Sequence, residues 1–162
     1  MIADLPEQLI AQAEFLLRGA ALNEANVRRA VSSAYYALFH LLIRDTVLNW
    51  MHADQHSRLA RAFDHRRMRD ASMAMLKEMG NVPRQATGSG DAEQMPRFRL
   101  SAFVDLQQAR HKADYDVAAP FPPLDAAVDV AQARLAFTTW AVVKEEPLAQ
   151  RYLYSLLFKD KS

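Results

Sequence analysis

The sequence contains no cysteine and only four glycines among 162 residues. Without cysteine, the chain can form neither a disulfide framework nor a thiolate metal site. Its apolar runs all fall well short of the ~20 residues that a membrane span needs, and the first residues lack the basic and apolar segments of a signal peptide. We therefore expect a soluble, cytoplasmic protein that does not associate with membranes.

The chain also lacks an excess of either charge. Twenty Lys and Arg residues against nineteen Asp and Glu give a formal net charge of +1. The whole molecule therefore exerts no general attraction on polyanions, and a nucleic-acid-binding surface would have to be a local patch. Because 51% of the residues are hydrophobic, the composition is globular. The length suits one domain over residues 1–162.

Scarce glycine, together with abundant Ala, Leu, Arg, Gln and Met, favours helix throughout, and no alternation typical of strands competes. We predict an all-α, single-domain bundle of about five to six helices. Asp4 and Glu7 have the spacing of a capping box, and Asn23 is a plausible cap for the second helix. The predicted helices cover roughly residues 4–18, 23–50, 54–79, 97–115, 124–142 and 148–158. Residues 80–96, with three Gly and two Pro, are predicted to form a mobile loop.

The second predicted helix is apolar on most of its circumference. Its main apolar stripe consists of Val27, Val31, Ala34, Leu38 and Leu42. The opposite face carries a polar stripe of Arg29, Ser33, Tyr36 and His40. A helix of this kind is usually central in a bundle, so its polar stripe would need partners, a cavity or another subunit.

The fifth predicted helix has apolar residues that alternate at steps of four and three. They are Leu124, Val128, Ala131, Leu135, Thr138 and Val142, in which Thr138 is the one hydroxyl-bearing member. This spacing is suited to antiparallel packing against another helix.

Two short segments stand out in the second and fourth predicted helices. Residues 34–40 read Ala-Tyr-Tyr-Ala-Leu-Phe-His and residues 110–115 read Arg-His-Lys-Ala-Asp-Tyr. They resemble the signatures Ala-Tyr-Tyr-Ala-x-Phe-His and Arg-x-x-Ala-Asp-Tyr of one bacterial branch of the HEPN (higher eukaryotes and prokaryotes nucleotide-binding) family. The resemblance implies a helical domain that often dimerises. Many relatives are metal-independent endoribonucleases, toxins or defence effectors, and some work beside a small nucleotidyltransferase.

The resemblance also points to a site near the fourth helix. Nuclease members of the family carry an Arg and, after four to six further residues, a His, whereas Arg110 is followed at once by His111. Adjacent helical residues point about 100° apart, so we expect these two not to serve one site within a subunit. Arg110 and Asp114 lie four apart and are predicted to pair, with His111 and Tyr115 on the adjacent face. Ser33, Tyr36 and His40 are predicted to face this pair across the interior or a cleft.

Two functions follow from these residues. Metal-independent RNA cleavage needs a group that moves the 2′-hydroxyl proton and a cation that stabilises charge on the phosphate. His40 or His111 can do the former and Arg110 the latter. The candidate catalytic set is Tyr36, His40, Arg110, His111, Asp114 and Tyr115. The alternative is a non-catalytic helical partner, in which the Arg110–Asp114 pair and the polar stripe specify a homodimer or a complex with a nucleotidyltransferase.

Four basic residues share a face of the third predicted helix: Arg58, Arg61, His65 and Arg69. They are either RNA-backbone contacts or a solvated charged face. Arg58 and His65 have the spacing of the nuclease motif, but lie elsewhere in the domain. No metal or cofactor is expected, because His52 and His56 lack the Glu of a His-Glu-x-x-His site and no glycine-rich phosphate loop occurs.

Overall fold

The computed structural model describes residues 4–19, 22–81 and 100–158. Within these ranges the chain forms seven α-helices, one 3-10 turn and no strand, which confirms the all-α class. The helices are α1 (Leu5–Leu16), α2 (Glu24–Leu48), α3 (His56–Ala60), α4 (His65–Asn81), α5 (Leu100–Tyr115), α6 (Pro123–Val143) and α7 (Pro147–Leu157). From residue 82 onward, the predicted loop of residues 80–96 lies outside the described residues. Among the helices described, none is long and apolar enough to cross a membrane.

Helix α2 is the centre of the bundle. It begins as predicted at Asn23, whose Oδ1 accepts a hydrogen bond of 3.0 Å from the backbone N–H of Asn26. Sixteen of its 25 residues are buried, and every member of the predicted apolar stripe from Val27 to Leu42 is among them. Helices α1, α5 and α6 all pack against it. The apolar pattern therefore identified the central helix correctly.

Helix α1 begins and ends close to the predicted residues, but not by the predicted capping box. Asp4 makes no side-chain cap bond. Glu7 instead accepts a 2.7 Å hydrogen bond from Nη1 of Arg44 on α2, because a charged donor on a neighbouring helix makes the stronger bond. After the helix ends, Gly19 adopts a φ of 52°, a left-handed conformation that glycine adopts without a Cβ clash.

The predicted third helix, residues 54–79, is wrong as a single element. It is divided into α3 and α4 by a turn over residues 61–64. Oδ1 of Asp64 accepts a 3.0 Å hydrogen bond from the backbone N–H of Arg67 and so caps a new helix. Since α3 and α4 are separate, Arg58 and Arg61 do not share a continuous face with His65. The additional helix also raises the count among the described residues to seven, from the five to six predicted.

Helix α6 buries the side opposite to its four-three pattern. The core side chains are Ala126, Val130, Ala133, Ala136, Phe137, Trp140 and Val143. The pattern itself faces outward, with exposed fractions of 74% at Leu124, 48% at Val128, 44% at Leu135 and 70% at Val142. The helix is apolar on two sides, and the larger Phe137 and Trp140 side chains determine which one enters the core. The four-three face therefore lies outside the core formed by the described residues.

A buried carboxylate holds α6 against α2. Nε1 of Trp140 donates a 2.7 Å hydrogen bond to Oδ2 of Asp45, and Nε of Arg44 donates one of 2.9 Å to Oδ1 of the same residue. Asp45 is only 6% exposed and Trp140 1%. Hydrogen bonds to a buried charge are stronger than neutral ones, so this pair fixes how the two helices meet.

We expect Asp45→Ala to lower the free energy of unfolding by about 2–4 kcal/mol, because it removes a buried hydrogen-bonded charge and the indole's acceptor together. Urea unfolding followed by circular dichroism measures this. The matched control is Glu7→Ala, which removes the other carboxylate partner of Arg44 at a side chain that is 53% exposed and should cost less than about 1 kcal/mol. Equal losses for the two variants would contradict the assignment of Asp45 as the anchor.

Candidate functional site

Arg110 on α5 is held by side chains from two helices. Its Nη2 donates a 3.0 Å hydrogen bond to the hydroxyl of Tyr36 on α2. Its Nε lies 2.9 Å from Oδ2 of Asp114, an ion pair whose geometry does not align a hydrogen bond. The predicted Arg110–Asp114 pair is therefore present, and Tyr36 faces it as expected. This contact network joins α2 to α5 at one point.

The serine in this network is not the one predicted. Ser32 donates to Oδ2 of Asp114 at 3.4 Å. Ser33, which was expected to face Arg110, instead donates a 3.1 Å hydrogen bond to Gln12 on α1. Adjacent residues on a helix point about 100° apart. The hydroxyls of Ser32 and Ser33 therefore bond to residues of different helices.

Three tyrosine rings surround the guanidinium. Cζ of Arg110 lies 5.8 Å from the ring centre of Tyr35, 5.4 Å from that of Tyr36 and 5.7 Å from that of Tyr115. Such cation–π distances favour the charged form. Burial by itself lowers the pKa of Arg110, but Tyr36, Asp114 and the other tyrosines outweigh it and raise the pKa above its ordinary value. The site therefore carries a fixed positive charge.

His65 also belongs to this cluster, which the sequence did not indicate. It is the first residue of α4, and its Nδ1 lies 2.7 Å from the hydroxyl of buried Tyr35. Its ring stacks on Phe39 with centroids 4.1 Å apart. Burial lowers the pKa of His65, and the charge of Arg110 lowers it further. The earlier assignment of His65 to an exposed basic face is wrong, because the Asp64 cap turns it inward.

His40 lines a different cleft, between α1 and α2. The cleft has a volume of about 420 Å³ and is lined by Leu5, Leu9, Gln12, Arg29, Ser32, Ser33, Tyr36 and His40. The predicted polar stripe of α2 is thus part of its wall. The His40 ring lies 6.3 Å from that of Tyr36, and burial, with a smaller effect of His65, lowers the pKa of His40. A neutral imidazole therefore stands at this wall.

A second cleft, between α4 and α5, contains Arg110 and His111 together. Its volume is about 580 Å³, and its walls are Arg69, Met73, Val104, Gln107, Gln108, Arg110 and His111. Arg110 and His111 therefore line one cleft of a single subunit, although their side chains leave α5 in different directions. The cleft is wide enough to be lined by more than one face of α5, and the long side chain of Arg110 extends to it from the face next to that of His111.

The predicted nucleic-acid-binding set is divided by the fold. Arg69 lies in the α4–α5 cleft beside Arg110, and His65 lies in the tyrosine cluster. Arg58 and Arg61 are exposed on and just after α3 and line neither cleft. The catalytic candidate Tyr115 is mostly exposed, and its ring lies 5.0 Å from that of His111.

Several residues of the site were not among the predicted ones: Ser32, Tyr35, Phe39, Gln107 and Gln108. The only local signal was Tyr35, whose hydroxyl on a buried helix requires a partner. Over the described parts of the chain, no three His, Asp or Glu side chains are grouped so that they could hold a metal ion.

Comparisons with protein-family models, with curated proteins and with solved structures find no match to this chain. The all-α class therefore rests on the helices themselves, and the likeness to HEPN proteins rests on the two sequence segments.

We expect Arg110→Gln to raise the pKa of His65 toward its ordinary value of 6.5, because the substitution removes a nearby positive charge while burial remains. Two-dimensional NMR of the imidazole signals across a pH titration measures the shift. His40 is the internal control, since Arg110 is not a cause of its lowered pKa. A downward shift of His65, or equal shifts of both rings, would contradict this description of the site.

Proposed function

We propose that this chain is a HEPN-like, RNA-directed protein of the cytoplasm that binds the RNA backbone in the α4–α5 cleft and cleaves it there without a metal ion. The two signature segments support the RNA-directed role by resemblance. The position of Arg110 and His111 in one cleft supports the choice of site.

The observation that carries the proposal is the charge of the α4–α5 cleft. Arg69, Arg110 and His111 line it, and none of its described wall residues is an Asp or Glu. The carboxylates paired with the two arginines, Asp70 at 3.5 Å from Arg69 and Asp114 at 2.9 Å from Arg110, stand outside this wall. The neighbouring cleft between α4 and α7 is different, because Asp64, Asp70 and Glu78 stand in it beside Arg66 and Arg67. A local basic cleft on a chain of nearly zero net charge is suited to a phosphate backbone.

The proposed reaction is an internal transesterification of RNA. The 2′-oxygen attacks phosphorus, the bond to the 5′-oxygen breaks, and a 2′,3′-cyclic phosphate forms. His111 accepts the 2′-hydroxyl proton as general base, and the leaving 5′-oxygen takes a proton from water. The guanidinium of Arg110 stabilises the negative charge that develops on the phosphate oxygens. Gln108 lies in the same wall and carries an amide donor, whereas Nε2 of Gln107 already donates to the carbonyl of His65 at 3.1 Å.

A second function is favoured by how fully Arg110 is engaged. Its side chain is only 17% exposed, and it contacts Tyr36 and Asp114 within the chain. An arginine held in this way can serve to fix α5 on α2. In this alternative the chain is a non-catalytic subunit that acts with a nucleotidyltransferase, in a toxin–antitoxin or defence pair.

We expect Arg69→Ala to weaken RNA binding roughly fivefold and to reduce the slope of log affinity against log salt by about 1, because one phosphate contact is lost. Fluorescence anisotropy of a labelled single-stranded RNA at several salt concentrations measures both. The matched control is Arg58→Ala, which removes the same charge from an exposed position outside the cleft. Equal weakening by both variants would indicate diffuse attraction and would exclude the cleft as the binding site.

We expect purified protein to cleave RNA in the presence of EDTA and to leave 2′,3′-cyclic phosphate ends. His111→Ala should slow cleavage on the order of 10²–10⁴-fold, because it removes the general base. Denaturing gels and mass spectrometry of the products provide the measurement. His52→Ala is the control, since it removes an exposed imidazole outside both clefts. If no RNA is cleaved while anisotropy still detects binding, the non-catalytic function replaces the nuclease.

A further inference from the structure

The outward side of α6 is an uncharged surface along nearly the whole helix. Nine residues between 124 and 142 are exposed: Leu124, Asp125, Ala127, Val128, Ala131, Leu135, Thr138, Ala141 and Val142. Only Asp125 carries a charge. The hydroxyl of Thr138 donates to the carbonyl of Leu135 at 3.0 Å, so its polarity is satisfied within the helix. A continuous apolar surface of this kind marks a site of interaction.

We propose that this surface, the α6 seam (Leu124, Val128, Ala131, Leu135, Thr138 and Val142), binds the α6 seam of a second copy of the chain in antiparallel orientation. The steps of four and three are those by which two helices pack side by side. This inference does not depend on the proposed function, because neither the α1–α2 cleft nor the α4–α5 cleft includes a residue of α6.

The seam is complementary to itself in one antiparallel register. When two copies of α6 run in opposite directions about a centre at residue 133, Leu124 lies opposite Val142 of the other copy. In the same register Val128 lies opposite Thr138, and Ala131 opposite Leu135. The two-fold symmetry repeats each of these layers, so every residue of the seam meets an apolar or internally satisfied partner. The small Ala131 faces the large Leu135, which allows close packing.

The charges beside the seam also suit a second copy. Arg134 lies in the middle of α6, and its Nε and Nη2 already donate to Glu14 of the same chain at 2.7 and 2.8 Å. The pairing therefore brings no uncompensated arginines together at its centre. Antiparallel helices place the positive end of one dipole beside the negative end of the other, whereas a parallel pair would place like ends together.

The size of the surface predicts a weak dimer. A helix of 21 residues is about 30 Å long. Its nine exposed residues compare with roughly 20–30 residues a side in a standard stable interface. The pair should therefore form reversibly, at protein concentrations in the micromolar range and above.

The absence of cysteine makes a direct test of the register simple. Ala131→Cys and Leu135→Cys are prepared as two single variants, each with its own tag, and oxidised separately and as a mixture. In the proposed register residue 131 of one copy lies level with residue 135 of the other, whereas two copies of residue 131 are offset by about 6 Å along the axis. A disulfide joins Cα atoms about 4.4–6.8 Å apart. The disulfide between the two different variants should therefore form at least tenfold faster than the disulfide between two copies of the same variant.

Each outcome decides the proposal. Faster formation of the mixed dimer supports it, and faster formation of the single-variant dimers would show a parallel pair and overturn it. Light scattering should show that Leu135→Glu weakens self-association at least tenfold. Leu48→Glu, which adds the same charge at another exposed leucine, should not. A wild-type protein that is monomeric at all concentrations, together with cysteine variants that form no cross-link, would overturn the proposal and would leave the seam to another protein.

Discussion

Every polar side chain that helix α2 buries requires a partner, because an unpaired buried group costs about 1–3 kcal/mol. Thr46 donates to the carbonyl of Leu42 within α2. The other partners belong to four different helices: Asp114 of α5 for Ser32, Gln12 of α1 for Ser33, His65 of α4 for Tyr35, and Trp140 of α6 for Asp45. Apolar burial determines that α2 is central. The directions of these hydrogen bonds then determine how the surrounding helices are turned, and thus where the two clefts open.

The sequence predicted correctly those features that depend on the spacing of neighbouring residues alone. The α2 stripe and the Asn23 cap follow from local spacing, and both are present. The α6 face could not be chosen from its pattern, because both sides of that helix are apolar and only packing against α2 distinguishes them. The position of His65 next to Tyr35 joins residues 30 apart in sequence, so no local rule gives it. The break before α4 had a local signal in Asp64, but a continuous helical pattern concealed it.

The Tyr36–Arg110 hydrogen bond connects the two clefts described above. Tyr36 is in the wall of the α1–α2 cleft, and Arg110 is in the wall of the α4–α5 cleft. A ligand that moves either side chain therefore changes a bond that the other cleft shares. His40 and His65 flank this bond with lowered pKa values, so both imidazoles are neutral at pH 7. The positive charge between the clefts is then that of Arg110.

The partners of α2 lie far along the chain, which has a consequence for how the protein is made. Trp140 follows Asp45 by 95 residues, and Gln150 follows Asn49 by 101. At typical translation rates, the ribosome needs roughly 5–20 s to synthesise the first of these intervals. During that time the central helix α2 has α1 and then α3 to α5 to cover it, but not yet α6. The nascent chain therefore exposes its future core for seconds, and that is the period in which a chaperone would bind it.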